Sequence, residues 1–408
     1  MVGAEQDRQA SEVTEAVVLA AGEGSRLWPV TTYQPKPMVQ IGHRPILEYV
    51  LAALVDVGIE RVTIVVGHKK HRVQNHLEHS YRGVPLNYVH QKYQLGSGHA
   101  LQQCESRLDG PFLVVNGDTI VDTTLLGGTV ESYHTEDSTA CVAVVSSESP
   151  DEYGSVRTRN NRIVEITERS GTDRDRGVND RTARINAGVY VFDTDVFEAL
   201  SRVPLRGGER DLPAVVDVLE TPPVATAPGG FWCSPTYPWE LLTATEAVLT
   251  GREPLGEKPS VHGTARIDDT AVVGDNVSIE ADSVVHAGAV VGRGSCLHEN
   301  SQIGPNSVID RSILGPDVRI GANTTIRDSI VGRGVTIGDG TVSPGRSASV
   351  VINGREYTDR RLGAVIADRV RIGSKVSIEP GTRIAPNVAV PTGAHVSGDV
   401  TDSARVIR

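Results

Sequence analysis

Two glycines and two cations stand close together near the start of the chain. Leu19-Ala20-Ala21-Gly22-Glu23-Gly24-Ser25-Arg26-Leu27 follows an apolar run, and Pro29 and then Gln34-Pro35-Lys36-Pro37 come soon after. Glycines let the backbone turn sharply and aim N–H groups at an anion. Arg26 adds a fixed positive fork and Lys36 a mobile one. This is a cradle for a triphosphate. It is not a Walker loop, since no Gly-Lys-Ser/Thr follows, and Leu27 stands where the dinucleotide fingerprint needs a third glycine. Alone, the short Gly-x-Gly-x-Arg equally fits a glycine turn with one solvated arginine. Further on, Val114-Val115-Asn116-Gly117-Asp118 closes an apolar run with a carboxylate. A carboxylate at a strand end suits a hard, oxygen-ligated cation, and it also suits a plain turn. Cys104, Cys141, Cys233 and Cys296 are far apart and form no C-x-x-C pair, which argues against zinc and against a disulfide framework.

The elements that must position these residues divide in two. The chain has 408 residues and is 39% hydrophobic, which is ordinary for two soluble domains. Residues 13–249 alternate strand runs with helical stretches. Ala16–Ala20, Val62–Val66 and Phe112–Val115 read as strands, and Pro45–Val57 has helical spacing before Gly58. That order predicts a mostly parallel, Rossmann-like α/β sheet with right-handed crossovers, and ligands beyond the carboxyl ends of its strands. Residues 250–260 read as a polar linker. From 261 to 408 apolar residues recur every six positions: Val261, Ile267, Val273, Ile279, Val285, Val291, Leu297, Ile303 and Ile309. The register resumes from Ile366 to Val396, and a stretch near 343–364 breaks it and should loop out. A period of six fits neither a helix nor an ordinary strand, and it fits a β-helix with one apolar residue per flat side. The net charge of −11 argues against nucleic acid as a main partner. No run of about 18 apolar residues is present to span a membrane. The polar, acidic start is unlike a signal peptide, so a cytoplasmic location is expected.

The full string L-A-A-G-x-G-S-R-L-x-P-x-T, followed by P-K-P, resembles the signature of the sugar-1-phosphate nucleotidylyltransferases. The six-residue register resembles the hexapeptide-repeat proteins, whose three-sided coils are left-handed. The two together resemble the bifunctional N-acetylglucosamine-1-phosphate uridylyltransferases and the archaeal-type glucose-1-phosphate thymidylyltransferases. The resemblance implies transfer of a nucleotidyl group from UTP or dTTP to glucose 1-phosphate or N-acetylglucosamine 1-phosphate, with Mg²⁺. It puts Leu19, Ala20, Ala21, Gly22 and Gly24 on the nucleotide and makes Arg26 and Lys36 catalytic. Gln91-Lys92-Tyr93-Gln94-Leu95-Gly96-Ser97-Gly98-His99-Ala100 resembles the base-binding segment, which puts Gln91, Gly96 and Ser97 there. An amide has both a donor and an acceptor for a uracil or thymine edge. Asp118 would bind Mg²⁺. Gly154, Glu168, Arg169 and Asn186 match sugar- and phosphate-binding positions, with Arg169 where many members have Lys.

Two departures stand out. In Trp232-Cys233-Ser234-Pro235-Thr236-Tyr237-Pro238-Trp239-Glu240, Ser234 occupies the position of the second metal ligand, usually acidic. A hydroxyl can touch Mg²⁺ without offsetting its charge. An active enzyme with a water-completed site, a rearranged site and a catalytically weak regulatory subunit all remain open. On the β-helix, the base that the bifunctional relatives use for acetyl transfer is missing. Ala322 and Asn323 stand there, and neither takes a proton at neutral pH. His262, His286, His298 and His395 are read as surface residues, and His298 is the only one of the four singled out for a further role. A β-helix acyltransferase is therefore not expected. The coil's flat faces should instead build a homotrimer or higher homo-oligomer.

Overall fold

The computed structural model describes residues 12–136, 138–147, 153, 155–167, 183–251 and 260–402. These form two compact units. One runs up to Glu23 and resumes over Ile46–Cys233; the other takes Gly24–Pro45 and everything from Ser234 on.

In the first unit, β1 (Glu15–Ala20) leads to α1 (Ile46–Asp56), β2 (Arg61–Val66) and α2 (Lys70–Leu77). The edge strand β3 (Ser80–Tyr81), β4 (Val84–His90), α3 (Ser97–Gln102), β5 (Phe112–Asn116) and α4 (Thr123–Thr135) follow. Then come β6 (Ala140–Ser147), β7 (Ser155–Arg159), β8 (Arg162–Thr167), β9 (Ala183–Phe192), α5 (Val196–Arg202) and β10 (Val224–Thr226). The ten strands make one sheet in the order β7-β8-β10-β6-β9-β5-β1-β2-β4-β3. The strands read from sequence, β1, β2 and β5, run parallel with β4 beside them. The remainder is mixed, because β9 lies antiparallel between β5 and β6. Strand direction was not legible there: β9 is buried almost throughout, and such a run carries no alternation to mark its neighbours. Phe112, Tyr190, Phe192 and Phe197 fill the core on one side, with Phe112 stacked on Phe197 at 5.6 Å.

In the second unit the six-residue repeat winds a left-handed parallel β-helix of three seven-stranded sheets. Each rung lies on the next in parallel, as in Arg266↔Val284, Val284↔Gln302 and Gln302↔Arg319. The periodic residues point inward, and Ile279, Val285, Val291, Leu297, Ile303 and Ile309 form one buried column. The small residues of the repeat turn the corners. Ser301, Ser307 and Ser329 are wholly buried, and each hydroxyl donates to a backbone carbonyl within 2.7 Å. Asn276, Asp282, Asn300, Asn306 and Asp317 take positive φ at corners, as these short polar side chains tolerate. Thr336 pairs with Arg371 across the break in the register. The intervening chain is an antiparallel hairpin, Arg346–Ile352 with Arg355–Leu362, turning at Asn353-Gly354. No helix among the described residues is long and apolar enough to cross a membrane.

Candidate active site

The first unit brings several of the expected residues to one edge of its sheet. Ala20 pairs with Val66, Val66 with His90, and Leu19 with Asn116. The parallel strands therefore end together, and Ala21-Gly22, Gln91 and Asp118 emerge side by side. Two hydrogen bonds stitch the edge: Gly117 N–H donates to the Leu19 carbonyl (2.9 Å) and Gln94 Nε2 to that of Ala21 (3.1 Å). Gly22 is exposed, with no atom within 4 Å of where a Cβ would be.

Gln91 is buried, and its amide is oriented by its neighbours. Nε2 donates to the Gly96 carbonyl and also meets His99 Nδ1, both at 3.0 Å. A carbonyl only accepts, which fixes the nitrogen on that side. Burial, and then the nearby Arg210, hold His99 below its ordinary range, so the ring is neutral and Nδ1 accepts. The acceptor Oε1 of Gln91 is left for a ligand. Gly96 has φ +91°, and a Cβ there would stand 2.4 Å from the Arg210 carbonyl oxygen. Arg210 N–H donates to the Leu95 carbonyl (2.7 Å), and Gly98 N–H to that of Arg210 (2.8 Å). Ser97 Oγ accepts from Leu212 N–H at 2.8 Å, so its hydroxyl holds the segment in place.

Asp118 is half-buried, just beyond β5. Asn186 sits where the pairing of β9 with β6 breaks, and both ends of its amide are engaged in that bulge. Oδ1 accepts from Gly188 N–H (3.0 Å) and Nδ2 donates to Tyr190 Oη (2.6 Å). Gly154, Glu168 and Arg169 lie outside the described residues. The strand Trp232–Cys233 pairs antiparallel with Ile120–Val121, and Trp232 Nε1 donates to the Ala187 carbonyl at 2.8 Å.

The second unit holds the cations. Gly24 has φ +67° and opens a short 3-10 turn over Ser25–Leu27. A Cβ on Gly24 would lie 2.7 Å from Lys36 Cβ, so the turn and the lysine are packed directly together. Thr31 Oγ1 donates to the Gly24 carbonyl at 3.0 Å. Lys36 is buried and starts a second 3-10 turn between two prolines. Arg26 is exposed, with its guanidinium 6.0 Å from the centre of the Tyr237 ring. Ser234 is half-buried, and its carbonyl accepts from Thr236 Oγ1 at 3.2 Å.

Side chains of the β-helix anchor this segment. Arg383 lies over Trp28 (5.2 Å) and Arg369 over Tyr33 (4.9 Å), and Asn387 Nδ2 donates to Tyr33 Oη (2.9 Å). Cys296 Sγ donates to the Gly42 carbonyl at 2.9 Å. Beside it, His298 corrects the surface reading. It is fully buried, because the strand that carries it faces this covering segment instead of water. Its Nδ1 pairs with Glu280 Oε1 at 3.0 Å. Burial works against the imidazolium, but Cys296 and Glu280 outweigh it and push His298 up to about 10. His262, His286 and His395 are exposed, as expected. At the turn where an acetyl-transfer base was sought, Ala322 N–H donates to Asp339 Oδ1 (2.7 Å) and Asn323 is exposed.

Among the described residues no three His, Cys, Asp or Glu side chains group to hold a metal on their own. One carboxylate, Asp118, fits Mg²⁺ in the mode it commonly takes, with most ligands supplied by water and substrate phosphates. Sequence reasoning missed Tyr237, Arg383, Asn387 and Tyr357. One signal was present: Asn353-Gly354 between alternating residues marks a hairpin.

The nucleotidyl transferase family matches residues 15–223, half of the chain, and the GMPPB C-terminal domain matches 256–350. The bifunctional protein GlmU of Methanococcus vannielii is 27% identical over 420 residues, covering 95% of each chain. The UTP–glucose-1-phosphate uridylyltransferase AglF of Haloferax volcanii is 37% identical over 209 residues, covering 50% of this chain and 83% of its own. A solved UDP-glucose pyrophosphorylase complexed with UDP-glucose superposes with a TM-score of 0.52 at 22% identity, covering 59% of this chain and all of its own. At that identity the likeness speaks for the fold. The resemblance read from the sequence holds, and the chain belongs to the nucleotidyl transferase family.

Proposed function

We propose that this chain transfers a nucleotidyl group from UTP or dTTP to a sugar 1-phosphate and releases pyrophosphate. The observation that carries the reading is the shared edge at which β1, β4 and β5 end, with the glycine turn, Gln91 and Asp118 following them. The names of the GlmU and AglF relatives support the reaction class. In this reading the backbone of Leu19 to Gly22, with Gly24 and Arg26, receives the triphosphate. Lys36 stabilises the charge that grows on the α-phosphate. Gln91 Oε1 accepts from the N3–H of a pyrimidine, which uracil and thymine share. The nucleophile, a sugar phosphate oxygen, is already an anion and needs no general base. Alignment and charge stabilisation carry the catalysis. Asp118 would hold Mg²⁺, with Ser234 as a neutral neighbour in the ligand set. When bound, the ion neutralises charge on the transferring phosphates. Asn186, with Gly154, Glu168 and Arg169, would take the sugar phosphate.

An outward column on one β-helix face, Val272, Val290, Val308, Thr325 and Val342, supports a homotrimer or higher assembly. It is continuous along the stacked rungs, and Val272 and Val342 are 58% and 40% exposed. Light scattering on the purified chain checks it: a monomer at micromolar concentration rejects the assembly.

The activity test is pyrophosphate release from UTP and dTTP, each with glucose 1-phosphate and N-acetylglucosamine 1-phosphate, across a Mg²⁺ titration. AglF's name makes UTP with glucose 1-phosphate the first pair to try. Release is expected, with a Mg²⁺ requirement that falls in Ser234→Asp. Binding of a sugar nucleotide without release by any pair turns the reading to a regulatory subunit.

A further inference from the structure

We propose that Tyr357, on the hairpin that leaves the β-helix, is a positioning residue for Arg26 and thereby sets the affinity of the glycine turn for a nucleoside triphosphate. The inference rests on the triphosphate reading of that turn.

Arg26 is exposed, and the face of Tyr237 is the only described partner of its guanidinium. An arginine in water samples many rotamers, and a ring face narrows them toward one direction. That face is itself fixed on two sides. Tyr237 is 1% exposed and stacks on Trp239 with centroids 4.8 Å apart and planes at 6°. Tyr357 closes its other contact, with ring centroids 4.8 Å apart. The two phenol oxygens are 2.7 Å apart, so one hydroxyl donates to the other in a buried place. Tyr357 pairs with Val350 across the hairpin, and the Arg355 guanidinium lies 4.9 Å from its ring centre.

A second link joins the same hairpin to the same turn. Arg383 Nη2 donates to the Val351 carbonyl at 2.7 Å, and its guanidinium lies over Trp28, two residues beyond Arg26. Both carboxylate oxygens of Asp399 fix Arg383 in turn, at 2.7 and 2.6 Å. The hairpin therefore grips the cradle at Trp28 and aims its arginine through Tyr237. A break in the hexapeptide register acquires a purpose that a coil-forming repeat alone would not have.

The experiment is a double-mutant cycle on the full chain. Dissociation constants for UTP and dTTP, and KM for both substrates, are measured for wild type, Tyr357→Ala, Arg26→Ala and the double variant. Tyr357→Ala should weaken triphosphate binding about three- to tenfold, the worth of a lost cation–ring contact, and leave the KM for sugar 1-phosphate in place. In the Arg26→Ala background the same change should alter triphosphate binding by less than about twofold. An equal loss in both backgrounds, or an equal rise in both KM values, overturns the proposal. Should Tyr357→Ala fail to fold, Tyr357→Phe carries the test by deleting only the hydroxyl pair. Weaker binding with Arg26 present and no change without it supports the proposal; no change in either rejects it. A wild type that binds triphosphate but forms no sugar nucleotide overturns the proposed activity and leaves this cycle readable by binding. A wild type that binds no triphosphate overturns both.

Discussion

The segments around Gly96 and Gly24 both turn at a glycine with positive φ, yet different kinds of contact hold them. The Gly96 segment is tied by its own backbone to residues 210–212 of the first unit, through Gly98, Leu95 and the Ser97 hydroxyl. The Gly24 segment is tied by side chains of the second unit, many rungs away in sequence: Arg383 on Trp28, Asn387 and Arg369 on Tyr33, Cys296 on Gly42. Backbone contacts tolerate most changes of side chain and fail when a Cβ intrudes. Side-chain contacts fail singly and by smaller steps. The β-helix is thus more than a platform for self-association, because its later rungs help to build the anion-binding turn.

The comparison is broken most severely at Lys36, the one buried cation of the Gly24 segment that the proposed chemistry needs. Lys36→Ala should lower kcat by about 10²–10³, the usual cost of removing a charge aimed at a developing anion, with the melting temperature nearly kept. Steady-state kinetics and a thermal melt decide it together. Turnover within a few-fold of wild type would take Lys36 out of the mechanism.

Gly96→Ala tests the backbone-held segment. The methyl would meet the Arg210 carbonyl oxygen at 2.4 Å, with backbone on both sides and φ at +91°. We expect a stability loss of about 3 kcal/mol and weaker nucleotide binding, since Gln91 is oriented by the Gly96 carbonyl. The contrast is Gly22→Ala, which has open space. A chemical denaturation series on both variants checks this, and equal losses would show that close approach to Arg210 is not what the glycine serves.

How much of this was legible in the sequence follows the same division. The strand ends at Ala20 and Asp118, the glycine turn and the rung-by-rung register of the coil all come from local periodicity, and local periodicity is what a sequence displays. The roles of Tyr237, Tyr357 and Arg383 were not legible, because each acts across 100 or more residues through a ring face or a fork of donors. The hexapeptide pattern marked the hairpin only as an interruption. The buried His298 was misjudged for a related reason. Its position on the coil is outward, and only the covering Gly24–Pro45 segment removes it from water.

His298 gives the finest test of that covering contact. Its folded value of about 10 lies above the ordinary histidine range near 6.5, with Glu280 and Cys296 facing it and His43 nearby. A raised value means that the folded state binds the proton more tightly. The stability from this proton is fully present below about pH 6.5 and is lost as pH rises through about 10. Glu280 is partly open to solvent, so the pair's contribution is modest, about 2 kcal/mol where it is complete. Removing the imidazole in His298→Asn should therefore lower the melting temperature most at pH 6 and progressively less toward pH 10. Melts of both proteins across that range measure the difference. A gap that stays constant with pH would mean that His298 contributes packing under the Gly42 turn and no charge.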